Sequence, residues 1–380
     1  MPTIKNIDIF KYDVKFTSPF LISYGKHLKS YGIILAVKTD EGFIGYGEVH
    51  PSPTLTNDTQ PEALDFLLEN KTKLIGLDSS DVEGMHEILI KQGLTTQSPK
   101  VALDFACYDI KGKVKGSPIY KLLGCSKPRK VPTTVTISIR SPGEMAKIAQ
   151  EYAQKYRVNG IKRIKLKLQG DPKVDKKRVE FVANVFSGEL TLDVNQGFRD
   201  PKIAARFFNE LYGEFGERIL YVEEPCPKGD IEKLRYVTDY STIPVFADES
   251  AGQIEDVQKI VEQQAAKGIN IKLHKAGGIY WGIKIAKIAK KAGVDVMVGG
   301  GGTGIATAAG ANFVAGTPNV NHADLDTDLL LRANIVKKGT GASFEDGARI
   351  PSEKPGLGVE LQGCIASVFN GDMSIQKVSN

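Results

Sequence analysis

The chain has 380 residues, of which 41% are hydrophobic and 25% charged, with a net charge of +5. That length exceeds one ordinary domain, and that balance belongs to a globular chain with a large core. No run approaches the roughly 18 apolar residues of a membrane span, and the alternating N-terminus MPTIKNIDIFKYDVKF lacks the apolar block of a signal peptide. A cytoplasmic protein is the expectation. Lysines gather at 173–178 and at Lys284, Lys287, Lys290 and Lys291. The second set has helical spacing and neither has interleaved aromatics, so these are solvated faces and nucleic-acid binding is not expected. Cys107, Cys125, Cys226 and Cys364 are scattered, with no CxxC pair, and read as free buried thiols.

In chain order, KNIDIFKYDVKF and YGIILAVKTDEGFIGYGEV read as antiparallel strands, with a hairpin turn at Asp40-Glu41-Gly42. Residues 60–123 read as helices, and Gly116-Ser117-Pro118 interrupts the apolar spacing of LDFACYDIKGKVKGSPIYKLLG. The first third, 1–125, is thus an α+β unit. From about residue 130 short apolar runs recur, each followed by a helical stretch: TTVTISI, RIKLKL, LTLDVN, ILYVEEP, PVFADES, INIKLHK and VDVMVGG, with an eighth near His322–Leu325. This alternation implies a parallel α/β sheet, and eight runs suit a closed barrel over 126–354. No GxGxxG follows an early strand to favour a dinucleotide fold. The glycines Gly299–Gly302, with Thr303 and Gly304, could cradle an anion through backbone N–H groups. PSEKPGLGVELQG is rich in turns, so about 355–380 is expected to leave the barrel and complete the first domain.

Polar residues stand at the ends of successive barrel runs. Lys165 and Lys167 are two apart and share a strand face. Asp193 and Asn195, Glu223 and Glu224, Asp248 and Glu249, and Lys272 follow on later strands. Barrel enzymes draw their active sites from that rim. Carboxylates on three adjacent strands make a hard oxygen site of the kind Mg²⁺ prefers. Lysines before and after them suit proton abstraction next to a carboxylate. Burial and neighbouring positive charge would lower their pKa, and the metal would take the charge of an enediolate. One buried carboxylate at a strand end is more often a cap or an ion pair, and a lone Lys-x-Lys is an ordinary surface strand. Five such strand ends together, with two lysines turned inward, call for a function.

These motifs, GYGEV, ALDFACYDIKGKVKGSPIYKLLG, IKLKLQG, LDVNQGF, VEEP, ADES, NIKLHKAGGI and KPGLG, come in order over nearly the whole chain. The chain resembles the enolase superfamily, in the branch of muconate-lactonizing enzymes, and within it the dipeptide epimerases. The resemblance implies a (β/α)7β-type modified TIM barrel with an N-terminal α+β capping domain. It implies that Asp193, Glu223 and Asp248 bind Mg²⁺ and that Lys167 and Lys272 are acid/bases on opposite faces of the substrate. Lys165 would bind the substrate carboxylate and depress the pKa of Lys167, and Thr136 would contact substrate. Asp324 and Asp326, two apart in HADLDTDLLL, would bind the free ammonium of a dipeptide. The rim Gly299–Gly302 departs from the bulkier, glutamate-bearing rim of relatives. Gly300 and Gly302 are expected to face the substrate across the space this opens.

The expected activity is Mg²⁺-dependent epimerisation of L,L-dipeptides at the C-terminal residue, by a homo-oligomer whose only ligand partner is the small molecule. N-acylamino acid racemisation, o-succinylbenzoate synthesis and cycloisomerisation use substrates without an ammonium and leave Asp324 and Asp326 unexplained. A silent scaffold leaves the whole rim unexplained. Specificity is expected from a capping-domain loop, Phe16–Ser30. Matching from Pro19-Phe20 puts Gly25 where relatives that read glutamate carry arginine, with Lys26 one residue away. Phe20, Ile22 and Tyr24 alternate as an apolar wall, and the loop has no acid. Uncharged, hydrophobic dipeptides are therefore expected.

Overall fold

A computed structural model describes residues 1–94, 96–156, 160–362 and 367–378, with side chains undescribed at 367–370. Cys364 lies outside the described residues. Three antiparallel strands open the chain: β1 (Ile4–Ile22), β2 (Gly25–Thr39) and β3 (Ile44–Val49). The β2–β3 turn falls at Asp40–Gly42, with Gly42 at φ 88°. Helices Gln60–Leu74, Val82–Lys91 and Gln97–Val114 follow, and Gly116 (φ 59°) ends the last of them. The helix Gln97–Val114 lies on β3 because β3 carries no side chain where they meet. A Cβ on Gly47 would stand 1.7 Å from the carbonyl oxygen of Ala102.

Eight strands then form one parallel sheet in sequence order: β4 (Thr134–Ile137), β5 (Arg163–Lys167), β6 (Glu189–Asp193), β7 (Ile219–Glu223), β8 (Val245–Ala247), β9 (Gly268–Asn270), β10 (Asp295–Gly299) and β11 (Val320–Asp324). A bridge between Thr133 and Ala323 brings the two edges together, so the barrel is nearly closed. Several connecting helices start on the same device, a Ser or Asp cap followed by proline: Ser141-Pro142, Asp171-Pro172 and Asp200-Pro201. Strand alternation sends Ile164 and Leu166 outward to the helices, and Lys165 and Lys167 inward. Tyr221 stacks on Phe246 at 4.3 Å, and Met297 packs with them in a separate apolar cluster. Charged side chains concentrate at the other, C-terminal end of the strands.

Past the barrel, β12 (Ala342–Glu345) and β13 (Ala348–Pro351) form a hairpin. The chain then returns to the first domain, where β14 (Ser367–Asn370) and β15 (Met373–Val378) extend its sheet through β1. The two units are tied by Asp104 of the capping domain, whose carboxylate accepts the N–H of Ile279 at 2.6 Å and caps the barrel helix Ile279–Ala292. The span 16–30, read from sequence as a loop, is instead a ribbon: β1 and β2 continue to a tight turn at Ser23-Tyr24. No described helix is long and apolar enough to cross a membrane.

Candidate active site

Parallel register builds the rim. Lys167 pairs with Asp193 and Asp193 with Glu223, so three strand ends set three charged side chains in a row. Asp248 follows one residue beyond β8. Carboxylate oxygens of Asp193, Glu223 and Asp248 lie within 4.8 Å of one another, and all three residues are fully buried. Ammonium groups surround them. Lys165 Nζ lies 3.0 Å from Asp193, 2.8 Å from Glu223 and 2.7 Å from Asp324. Lys167 Nζ is 2.5 Å from Asp193, and Lys272 and Lys275 reach Asp248 at 2.6 and 2.7 Å. The chain just past these strands turns through left-handed conformations at Asn195 (φ 42°), Gln196 (φ 69°) and Glu224 (φ 34°), a strain of the kind that functional sites retain.

The charge balance fits a hard divalent cation. Burial tends to raise the Asp193 carboxyl, but Lys165 and Lys167 outweigh it and hold it down at about 2. Asp248 is likewise held well below the usual carboxylate range, by Lys272 and Lys275 against burial. Glu223 is different: burial pushes it up to about 8 in spite of Lys165. Its Oε1 is near that ammonium but accepts no aligned hydrogen bond. Three oxygen donors with one under-compensated carboxylate are what a Mg²⁺-sized ion accepts, with coordination positions left for substrate.

Lys167 and Lys272 both line a cavity of about 320 Å³ between the rim and the capping domain. They come from β5 and from just past β9, four strands apart in an eight-strand ring, so they face each other across the barrel. The expected lowering of the lysines fails at Lys272. Burial pulls it down, but Asp248 and Glu249 outweigh burial and hold the ammonium above its usual value. Lys165 differs in place from the expectation as well. It is fully buried and does not line the cavity, because three carboxylates take its ammonium. Glu224 and Glu249 brace the rim: Glu224 accepts the N–H of Asp248 at 2.7 Å, and Glu249 accepts from Asn195 at 3.0 Å.

Asp324 and Asp326 line the cavity beside β4. Asp324 accepts from Thr134 at 2.6 Å and from Lys165, and the backbone N–H of Thr136 reaches Asp326 at 2.5 Å. Thr136, Gly300 and Gly302 share the wall. The anion expected at the glycine rim turns out to be internal. The Glu48 carboxylate accepts the N–H groups of Thr303 and Ala306 at 2.7 and 2.8 Å. Gly302 (φ 77°) is required there, since a Cβ would meet Glu48 Oε1 at 2.7 Å.

Phe20, Ile22 and Tyr24 line the cavity from the β1–β2 ribbon, whereas Gly25 and Lys26 do not. Register gives the reason. Lys26 pairs with Leu21, on the face opposite Phe20 and Ile22, and its side chain is exposed. Gly25, opposite Ile22, has the right parity but no side chain. The ribbon tip is fastened to the barrel by Tyr24 to Glu249 at 3.3 Å and by Ser23 to the carbonyl of Asn195. Sequence reasoning missed Lys275, Glu48 and the histidines. Three of the five histidines, His27, His50 and His274, line the cavity. Their nearness to the motif residues, His50 after GYGEV and His274 two past Lys272, was the available signal.

The fold and rim define a (β/α)-barrel enzyme with a buried carboxylate cluster that could hold a metal ion. Residues 6–124 match the mandelate racemase/muconate lactonizing enzyme N-terminal domain, and 147–364 match the enolase C-terminal domain-like family. The chain belongs to this family, within the enolase superfamily. It is 33% identical to an L-Ala-D/L-Glu epimerase of Clostridium acetobutylicum, over 94% of this chain and 98% of that one. It is 30% identical to an N-succinyl-L-Arg/Lys racemase of Bacillus cereus, over 94% and 95%. The structure of a dipeptide epimerase from Enterococcus faecalis, complexed with Mg and L-Leu-L-Tyr, superposes with a TM-score of 0.87 at 31% identity, over 94% and 99% of the chains.

Proposed function

We propose that the protein is an isomerase that epimerises dipeptides at the α-carbon of the C-terminal residue, with Mg²⁺ held by Asp193, Glu223 and Asp248. The observation that carries this reading is that Lys167, Lys272, Asp324 and Asp326 all face one cavity. One lysine removes the α-proton and the other returns a proton from the opposite side, which inverts the centre. A bound divalent cation supplies an offset for the negative charge that gathers on the substrate carboxylate. Thr136 and Asp326 line the wall that receives the N-terminal residue, and the Asp324–Asp326 pair holds its ammonium. Lys165 acts from beneath by fixing Asp193, Glu223 and Asp324 in place. Phe16, Phe20, Ile22 and Leu55 present an apolar lobe to the C-terminal side chain.

L,L-dipeptides incubated with Mg²⁺ in D₂O should gain one deuterium at the C-terminal α-carbon and yield the L,D epimer, and chelation should stop both. Exchange confined to N-acylated amino acids, with none in any dipeptide, would replace this reading by an acylamino acid racemase.

A further inference from the structure

The apolar lobe is not uniformly apolar. His50, at the end of β3, stands in its wall with Phe16, Phe20, Ile22 and Leu55. Its Nδ1 lies 2.5 Å from the carbonyl oxygen of Tyr31. A carbonyl only accepts, so Nδ1 carries the proton. Burial lowers the imidazole's pKa against the bond to Tyr31, which raises it, and His27 and Lys272 lower it further, so the neutral ring is favoured. A neutral ring protonated on Nδ1 leaves Nε2 as an acceptor, and Nε2 has no hydrogen-bond partner among the described residues. His50 and Lys272 line the same cavity. The hydroxyls of Ser30, Tyr31 and Ser52 and the imidazole of His27 also line the cavity. Lys29 is paired with Asp13 at 2.8 Å, and among the described residues the only carboxylates lining the cavity are Asp324 and Asp326.

We infer that His50 is a specificity-determining residue: its Nε2 accepts a hydrogen bond from the tip of an aromatic side chain on the epimerised residue, so that dipeptides ending in tyrosine are favoured over those ending in phenylalanine. The inference rests on the dipeptide reading above. The apolar wall holds the ring, and the imidazole supplies a partly buried acceptor for a phenol, unpartnered among the described residues. A site with a waiting acceptor discriminates against an analogue that lacks the donor, because the acceptor is then desolvated without a partner.

The test compares kcat/KM for Leu-Tyr, Leu-Phe and Leu-(O-methyl-tyrosine) on the wild-type enzyme, then on His50→Leu and His50→Gln. Wild type should prefer Leu-Tyr over both others by about tenfold or more. His50→Leu should bring the Tyr/Phe ratio to near one, and His50→Gln, which keeps an acceptor oxygen, should restore part of it. A wild-type ratio within twofold of one overturns the inference while leaving the dipeptide reading intact. So does an unchanged ratio in His50→Leu, or a tyrosine preference found only at the N-terminal residue. If no dipeptide turns over at all, it is the dipeptide reading that fails. The O-methyl comparison needs no variant: equal turnover of Leu-Tyr and Leu-(O-methyl-tyrosine) overturns the inference even if His50→Leu does not fold.

Discussion

The barrel rim and the β1–β2 ribbon line the same cavity and differ in how they hold their side chains. On the rim, alternation and parallel register place Lys167, Asp193 and Glu223 side by side, and each charge is locked to a partner. Moving one group would leave another buried and unpaired. The ribbon is tied to the rim at its tip, by Tyr24 to Glu249 and by Ser23 to the carbonyl of Asn195. It carries a register irregularity between Lys15 and Phe20 and presents apolar groups, which any hydrophobic neighbour satisfies. The rim is therefore built for one chemistry. Substitution of the ribbon's apolar groups, away from that tip, is expected to change what is bound without disturbing the rim.

The hardest blow to the rim should be Asp248→Asn. Its carboxylate pairs with Lys272 and Lys275, both in the interior. Its loss leaves two ammonium groups under-compensated, at a cost of about 3–5 kcal/mol in stability. A fall in Tm together with weaker Mg²⁺ binding by calorimetry is expected; an unchanged Mg²⁺ affinity would remove Asp248 from the metal site.

Lys167→Ala and Lys272→Ala should each lower epimerisation on the order of 10²–10⁴-fold. One epimer of the substrate should still exchange its α-proton with D₂O through the surviving lysine. Normal epimerisation in either variant would defeat the two-base mechanism.

Asp326→Asn should cost about 2–5 kcal/mol in kcat/KM for a free dipeptide, since the ammonium loses a desolvated partner. The same residue sets a pH dependence. Burial, with Asp324 beside it, pushes the Asp326 carboxyl up to about 7. A raised carboxyl pKa means the proton is retained below that pH, where the group cannot pair with an ammonium. Dipeptide KM should therefore fall as pH rises through about 7, and this limb should be absent in Asp326→Asn. A KM that is flat with pH in the wild type would show that the ammonium is held elsewhere.

The ribbon should give the smallest effects. Phe20→Ala should lower kcat/KM for hydrophobic dipeptides by about 1–3 kcal/mol. Lys26→Ala should leave every substrate within about twofold, because its side chain points away. A large loss of Ala-Glu turnover in Lys26→Ala would mean that the ribbon pairs in another register in solution.

Sequence alone was enough for the barrel, because eight apolar runs each span a strand and polar residues cluster at one end of them. Period-two alternation turned Lys165 and Lys167 to one side of their strand, and the family resemblance, not the alternation, singled out Asp193, Glu223, Asp248, Lys167 and Lys272. What it could not decide depended on partners far apart in the chain. Lys165 reads like Lys167, yet Asp193, Glu223 and Asp324 converge on it from three other strands and bury it. The glycine rim reads like an anion site, yet Glu48, 255 residues earlier than Thr303, already occupies it. Lys26 and Gly25 are one residue apart, and only the pairing of β1 with β2 shows that Lys26 points away from the cavity while Gly25 brings no side chain to it. Local pattern fixes the direction of a side chain relative to its own strand. What lies in that direction is set by the packing of distant segments, which only the tertiary structure decides.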